Sequence, residues 1–341
     1  MSVVTLAVDA MGGDHGLAVT VPAVATMLSR QEHLHIILVG QPEPLADAIK
    51  KAGLDGHPRV TVQPASELVA MDDPVAVALR QKKDSSMRVA INMVKEGRAQ
   101  AAISAGNTGA LMAISRFVLK TIKGVDRPAI MTSLPTYTGH THMLDVGANI
   151  DSKPETLLQF ATMGAIAVQH TENITQPTIG LLNVGVEDMK GSEKIQDTAQ
   201  LLKNSSLNYV GFVEGDDIYK GTVDVVVCDG FEGNIALKAS EGVAKMMSHF
   251  LKRSFKKNPL TKIIALIASP VMKDFKSRVD PGNYNGASLL GLKGVVIKSH
   301  GGADTKAYIQ AIKLAYLEAH AKITDKISDQ LTHELEQHKI N

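Results

Sequence analysis

The sequence predicts an α/β protein whose mainly parallel sheet is flanked by helices. Two observations lead there. Short apolar, β-branched runs alternate with helical patterns along most of the chain, the order that βαβ units produce. The runs are also almost continuously apolar, as strands are when both faces of their sheet are covered.

Strands are predicted at 6–9, 35–40, 101–106, 129–134, 143–147, 178–185, 224–230 and 294–300. Helices are predicted at 16–30, 44–52, 85–96, 108–119, 154–169, 193–202, 233–257 and 304–327. No repeat or low-complexity linker divides them, so 1–341 is read as a single α/β domain. Residues 233–278 depart from the alternation. A long helical pattern runs there through Met246, Met247, Phe250, Leu251 and Phe255 and turns at Asn258-Pro259. It resumes through Leu260, Ile263, Ile264, Leu266 and Ile267, and Pro270 breaks or restarts it. This is read as a helical hairpin projecting from the sheet domain. The polar tail after about Lys326 is expected to fray or dock loosely.

Composition narrows the function. The chain has 341 residues, 44% of them hydrophobic, which is ample for a large core. A net charge of +1 points to no polyanionic partner. Aromatics are scarce and Trp is absent, which argues against stacking platforms for nucleic acid. Cys228 is the only cysteine, so neither an intrachain disulfide nor a cysteine zinc site can form. It follows Val225-Val226-Val227 and reads as a buried structural thiol. The N-terminus is strand-like, unlike a signal peptide, and no apolar stretch reaches the ~20 residues of a spanning helix. A cytoplasmic protein, able to dock peripherally on a membrane, is expected.

The chemistry should lie beyond the carboxyl ends of the strands. Glycine, Asp, Asn and Ser gather in six turns there, at 9–16, 104–109, 145–149, 183–191, 229–234 and 299–302. Glycines let a backbone approach a ligand closely, and helix N-termini offer N–H groups to an anion. Six such turns on one rim describe an anion-binding crevice. Nucleotide motifs and the nucleophile elbow are missing. Asp9, Asp14, Asp145 and Asp229 are residues a Mg²⁺ site would use, but are read as helix caps and loop organisers. His140 and His142 are read as surface residues of a polar turn, without metal-ligand spacing. No metal and no cofactor is expected.

Together these segments resemble a known family. Val8-Asp9-Ala10-Met11-Gly12-Gly13-Asp14, Ser104-Ala105-Gly106-Asn107-Thr108-Gly109, Asp145-Val146-Gly147-Ala148-Asn149 and Gly180-Leu181-Leu182-Asn183-Val184-Gly185 look like the bacterial phosphate acyltransferases. So do Gly230-Phe231-Glu232-Gly233-Asn234 with Lys238, and Ser299-His300-Gly301. The resemblance covers nearly the whole chain. Asn285 and Ser288 depart from it, standing where that family usually carries Gly and Pro.

The resemblance implies an isocitrate/isopropylmalate dehydrogenase-like fold, shared with phosphotransacetylases. It implies transfer of a fatty acyl group from acyl carrier protein to inorganic phosphate. The acyl phosphate would feed a membrane glycerol-3-phosphate acyltransferase in phospholipid synthesis, and a homodimer is expected. Phosphate itself attacks the thioester, so no covalent intermediate is needed. Ser104, Asn107 and Thr108, with amides around Gly12, Gly13, Gly106 and Gly109, are expected to hold phosphate. Lys190 or Lys238 supplies charge, and Asn149, Asn183 and Asn234 donate to the thioester oxygen. Asp9, Asp14 or His300 manages the proton.

The hairpin carries a second signal. Between Lys245 and Arg278 it holds nine basic residues, among them Lys252, Arg253, Lys256 and Lys257, against one acid, Asp274. Ile263, Ile264 and Ile267 lie among them. Contact with an anionic membrane or acidic carrier protein is expected; a dimer-interface helix pair is the alternative.

Overall fold

A computed structural model describes residues 3–340, with side chains through 332. The N-terminal part holds β1 (Val4–Asp9), α1 (Leu17–Arg30), β2 (Leu34–Gly40), α2 (Pro42–Lys51) and β3 (Val60–Pro64). Next come α3 (Val75–Arg80), α4 (Ser86–Lys95), β4 (Ala101–Ser104), α5 (Thr108–Leu119), β5 (Ala129–Pro135), β6 (His140–Leu144) and α6 (Pro154–Glu172). They are followed by β7 (Thr178–Leu182), α7 (Glu193–Lys203), β8 (Asn208–Val213), α8 (Asp217–Lys220), β9 (Val225–Val227) and α9 (Gly230–Phe255). The chain ends with α10 (Pro259–Ile267), α11 (Ser269–Val279), a 3-10 turn (Pro281–Tyr284), β10 (Ala287–Leu290), β11 (Val295–Lys298), α12 (Thr305–Ala321) and α13 (Ile323–Ile340).

All the strands join one sheet, in the order β3-β2-β1-β4-β11-β10-β5-β6-β9-β7-β8. The β3-to-β11 group is parallel throughout, and so is the β6-β9-β7-β8 group. Between them the β11–β10, β10–β5 and β5–β6 pairings are antiparallel. Three reversals leave the two groups running in opposite directions.

Side chains alternate across each strand, so both sheet faces acquire a core. Leu6 and Val8 of β1 pack with Val21, Val24 and Leu28 of α1 and with Tyr308 and Ile312 of α12. Ala7 faces the other way, toward Met87 and Ile91 of α4. A third cluster joins Phe160 and Val168 of α6 to Ile179 of β7, Val225 of β9 and Ile327 of α13. Each fully buried Leu, Ile or Phe contributes ~1.5–3 kcal/mol.

The predicted elements are present, with local corrections. Strands β3, β8 and β10 were not predicted. The first two are edge strands exposed enough to break the apolar run, and β10 has only four residues. The short α3 and α8 were also not predicted. The helix expected at 304–327 divides at Lys322, whose φ of 52° caps α12. The tail continues as helix to Ile340, and α13 buries Ile323, Ile327 and Leu331 against α6. The 233–278 segment is three helices, and α10 and α11 bury nothing. The two departures from the family pattern are bonded into the fold. Asn285 Nδ2 donates to Ser299 Oγ at 2.9 Å, and Ser288 Oγ donates to buried Glu318 at 2.8 Å.

The start of α9 is pressed against the loop after β6. A Cβ on Gly233 would stand 1.9 Å from the Asp145 carbonyl oxygen, whereas one on Gly242 would meet nothing within 4 Å. Gly233→Ala should therefore destabilise the protein by ~1–3 kcal/mol or more. Gly242→Ala, in the same helix, should stabilise it by ~0.5–1 kcal/mol. Urea unfolding of both variants checks this.

Candidate active site

The reversal in the sheet decides where the six turns lie. Three of them, 9–16, 104–109 and 299–302, follow β1, β4 and β11 and share one rim. The other three, 145–149, 183–191 and 229–234, follow β6, β7 and β9 and lie on the opposite rim. The expected single crevice of six turns is thus corrected to two sets of three. Alternation of strands and helices carries no sign of strand direction, so the sequence could not separate them.

On the first rim the turns interlock. Ser104 Oγ donates to Asp9 Oδ2 at 2.6 Å and accepts the Gly106 N–H at 3.0 Å. Asp14 N donates to the Gly301 carbonyl at 2.9 Å. A Cβ on Gly12 would come within 2.9 Å of Gly106 N, so only glycine lets β1 and β4 close up here. Gly13 adopts φ 88° in the same turn. Asp9 is buried, and burial pushes its carboxyl above the usual range, opposed by the Ser104 hydrogen bond.

Asn107 caps α5. Its Oδ1 accepts the Ala110 N–H at 3.0 Å, and its Nδ2 donates to the Met71 and Asp73 carbonyls at 2.8 and 3.2 Å. The side chain expected to grip phosphate is therefore committed to the protein; what it offers a ligand is its main-chain N–H. Thr108 and Gly109, at the helix start, are exposed.

Two important residues of this rim were missed in the sequence. Lys298 is 7% exposed at the end of β11, and its Nζ donates to the Ala105 and Ser299 carbonyls. Burial depresses it to about 8, against the pull of Asp9 and Asp14. Its signal was a lysine closing the apolar run Val295-Val296-Ile297. Asn285 is the second: its Oδ1 accepts the His300 N–H at 2.8 Å. His300 Nδ1 accepts the Gly302 N–H at 3.0 Å, so the proton of a neutral ring sits on Nε2. Burial lowers the His300 pKa, and Lys238, Lys298 and Lys245 lower it further, opposed by Glu241.

The second rim is organised by two carboxylates. Asp145 accepts the N–H groups of Ile130 and Asn149 at 2.9 and 2.7 Å, and Asn149 Nδ2 at 2.9 Å. Asp229 caps α9 through Phe231 N and lies 3.8 Å from Lys194. Asn149 also donates to the Pro128 carbonyl, and Asn183 to that of Lys190, so both amides hold loops. Asn234 and Lys190 are exposed on this rim. Lys238 belongs electrostatically with the first rim instead. Eight residues along α9 from Gly230, it paired with Glu241 at 3.0 Å, acts on both Lys298 and His300.

Away from both sets of turns, His140 and His142 both meet Glu172; His140 is exposed as expected, whereas His142 is buried, which corrects its reading as a surface residue. Cys228 is buried and its thiol is raised well above its usual range, first by burial.

Fold and rim together define an α/β enzyme with a polar helix N-terminus suited to an anion and a buried lysine, Lys298, close by. A family model described as fatty acid synthesis protein matches residues 4–325. Proteins named phosphate acyltransferase are 64% identical in Alcanivorax borkumensis, over 97% of this chain and 98% of that one. The Vesicomyosocius okutanii relative is 63% identical, over 98% of each. The chain belongs to this family, the phosphate acyltransferases. Among solved structures, a phosphotransacetylase from Streptococcus pyogenes aligns with a TM-score of 0.62 at 18% identity, over 93% of this chain and 94% of that one. A 4-hydroxythreonine-4-phosphate dehydrogenase from Burkholderia phymatum gives 0.53 at 14%, over 93% and 98%. These two share the fold.

Lys298 also sets a pH dependence. Its folded pKa of about 8 lies below the unfolded 10.5, so the charged lysine penalises the folded state below pH 8. The penalty is relieved as pH rises through 8 toward 10.5. Relative to Lys298→Met, the parent should gain about 3 kcal/mol across that window. Denaturant unfolding of both proteins at the two ends of the window measures it.

Proposed function

We propose that this chain transfers a fatty acyl group from acyl carrier protein to inorganic phosphate at the first rim, giving acyl phosphate for phospholipid synthesis. The observation that carries the reading is the convergence of the β1, β4 and β11 turns on the exposed N-terminus of α5, with Lys298 and His300 beside it. Amides of Asn107, Thr108 and Gly109 and the Thr108 hydroxyl bind phosphate there, and Lys298 and Lys238 offset its charge. A hydrogenphosphate oxygen attacks the thioester carbonyl, the C–S bond breaks, and the proton given up by the hydrogenphosphate passes to the departing thiolate, giving the thiol. His300, with its proton on Nε2, donates a hydrogen bond to the developing carbonyl oxyanion. Asp9 holds Ser104 and the turn in place. The buried, raised Cys228 thiol supports direct attack by phosphate over a cysteine-bound acyl group.

The α10–α11 hairpin docks on anionic membrane, beside the glycerol-3-phosphate acyltransferase that takes the product. Ile263, Ile264 and Ile267 are 57%, 48% and 75% exposed, and Lys252, Arg253, Lys256 and Lys257 precede them. The same charges attract acidic carrier protein. The working unit is a homodimer, whose partner covers the exposed Ile150, Val184, Val186 and Met189 of the second rim.

Mixing the protein with phosphate, long-chain acyl carrier protein and hydroxylamine should yield hydroxamate. Absence of hydroxamate, or equal yield without phosphate, sinks the reading. A parallel arm with acyl-coenzyme A identifies the carrier. Thr108→Val should raise the phosphate KM roughly 10–150-fold, the loss of one hydrogen bond to a charged ligand. Ile263→Glu with Ile267→Glu should release the protein from anionic vesicles in a flotation assay while hydroxamate formation persists.

A further inference from the structure

His140 and His142 stand at alternate positions on β6, so both rings leave the same face. α6 ends at Glu172 opposite them. Glu172 Oε1 meets both imidazole Nε2 atoms, His140 at 2.7 Å and His142 closer still. The rings lie edge to face with centroids 5.1 Å apart. The three potential ligand atoms all fall within 4.8 Å of one another. The His142 side chain is 8% exposed, Glu172 27% and His140 36%, so the cluster is closed beneath and open on one side. Behind it, Ser133 Oγ lies 3.2 Å from Nδ1 of His142 and fixes that ring.

We propose that His140, His142 and Glu172 bind one divalent transition-metal ion, zinc foremost, in a site separate from the acyl-transfer rim. Two imidazoles and a carboxylate are a donor set used by zinc sites with an open fourth position. Nitrogen donors favour zinc, copper or nickel over magnesium and calcium, which take oxygen. With metal–ligand bonds of ~2.0–2.2 Å, tetrahedral donors stand about 3.3 Å apart. The present contacts need only widen by less than ~1 Å to admit the ion, within the reach of side-chain adjustment. The ion takes the place of the proton shared between each ring and the carboxylate. Ser133 then accepts the Nδ1–H of His142, the outer contact that orients a metal-bound ring. Asp224 adds negative charge near His140. Bound metal ties the end of α6 to the β5–β6 hairpin. Tyr284, whose ring centroid is 6.2 Å from that of His140, precedes Asn285, the residue that holds His300.

The test uses full-length protein stripped of metal by a chelator and titrated calorimetrically with ZnCl2 at neutral pH. One tight equivalent per chain is expected. Affinity should fall at least tenfold in His140→Asn, where the ring is partly exposed and folding is not at stake. The equivalent should vanish in His142→Asn with Glu172→Gln. Thermal melting is the second readout: zinc should raise the Tm of the parent and leave that double variant unchanged, and millimolar Mg²⁺ should affect neither. If the parent takes up no zinc at micromolar concentration, or if the variants bind it as tightly as the parent, the cluster is an ion pair held by protons and the proposal is overturned. Neither outcome depends on acyl transfer, so the hydroxamate reading stands or falls separately.

Discussion

The direction of the strands is the constraint on which this molecule turns. Carboxyl ends of parallel strands collect glycine turns and helix N-termini, and those features make an anion site. The three antiparallel pairings at the centre of the sheet divide that resource between two rims. On one, β1, β4 and β11 deliver their turns so closely that a single added methyl at Gly12 would collide with the neighbouring backbone. On the other, Asp145 and Asp229 spend their oxygens on main-chain amides, those of Ile130 and Asn149 for the first and of Phe231 and Ser152 for the second.

The buried charges of the first rim balance each other without touching. Lys298 donates to carbonyls and Asp9 accepts from Ser104, yet Asp9 still raises the pKa of Lys298 through the low-polarity interior. A buried lysine held near 8 remains mostly protonated at neutral pH and brings a poorly solvated positive charge beside an open helix N-terminus. A bound anion improves the surroundings of that lysine, whereas water alone leaves it short of partners.

Much of this was legible in the sequence. Apolar runs ending in glycine and small polar residues located eight strands, and the Asn107-Thr108 cap located the start of α5 to the residue. Edge strands were not legible, because residues such as Thr61 and Gln63 of β3 look like loop when one side is wet. The site was legible as residue types and not as an assembly. Ser104, Gly12 and His300 announce a polar turn, but which turns share a rim is set by pairings between residues more than a hundred positions apart, such as Ser288 with Met131. Side-chain commitments were hidden for the same reason. Nothing near Asn107 in the chain indicates that its amide serves the carbonyls of Met71 and Asp73. His140 and His142 acquire chemical meaning only when α6 returns Glu172 to them.

Helix α9 joins three places that the chain order keeps apart. Its first turn is clamped at Gly230 and Gly233 beneath the Asp145 loop, Lys238 reaches the field of His300, and its last turn leads into the exposed α10 and α11. Twenty-six residues of helix make a beam of roughly 39 Å, with Lys238 about 12 Å from the clamp. A swing of about 5° around that fulcrum carries the Lys238 backbone by ~1 Å, an amount to which group-transfer geometry is sensitive. Mechanical load on the outer helices is consequently not insulated from the first rim: the beam that carries them also sets the position of the Lys238 ammonium, whose charge acts on Lys298 and His300.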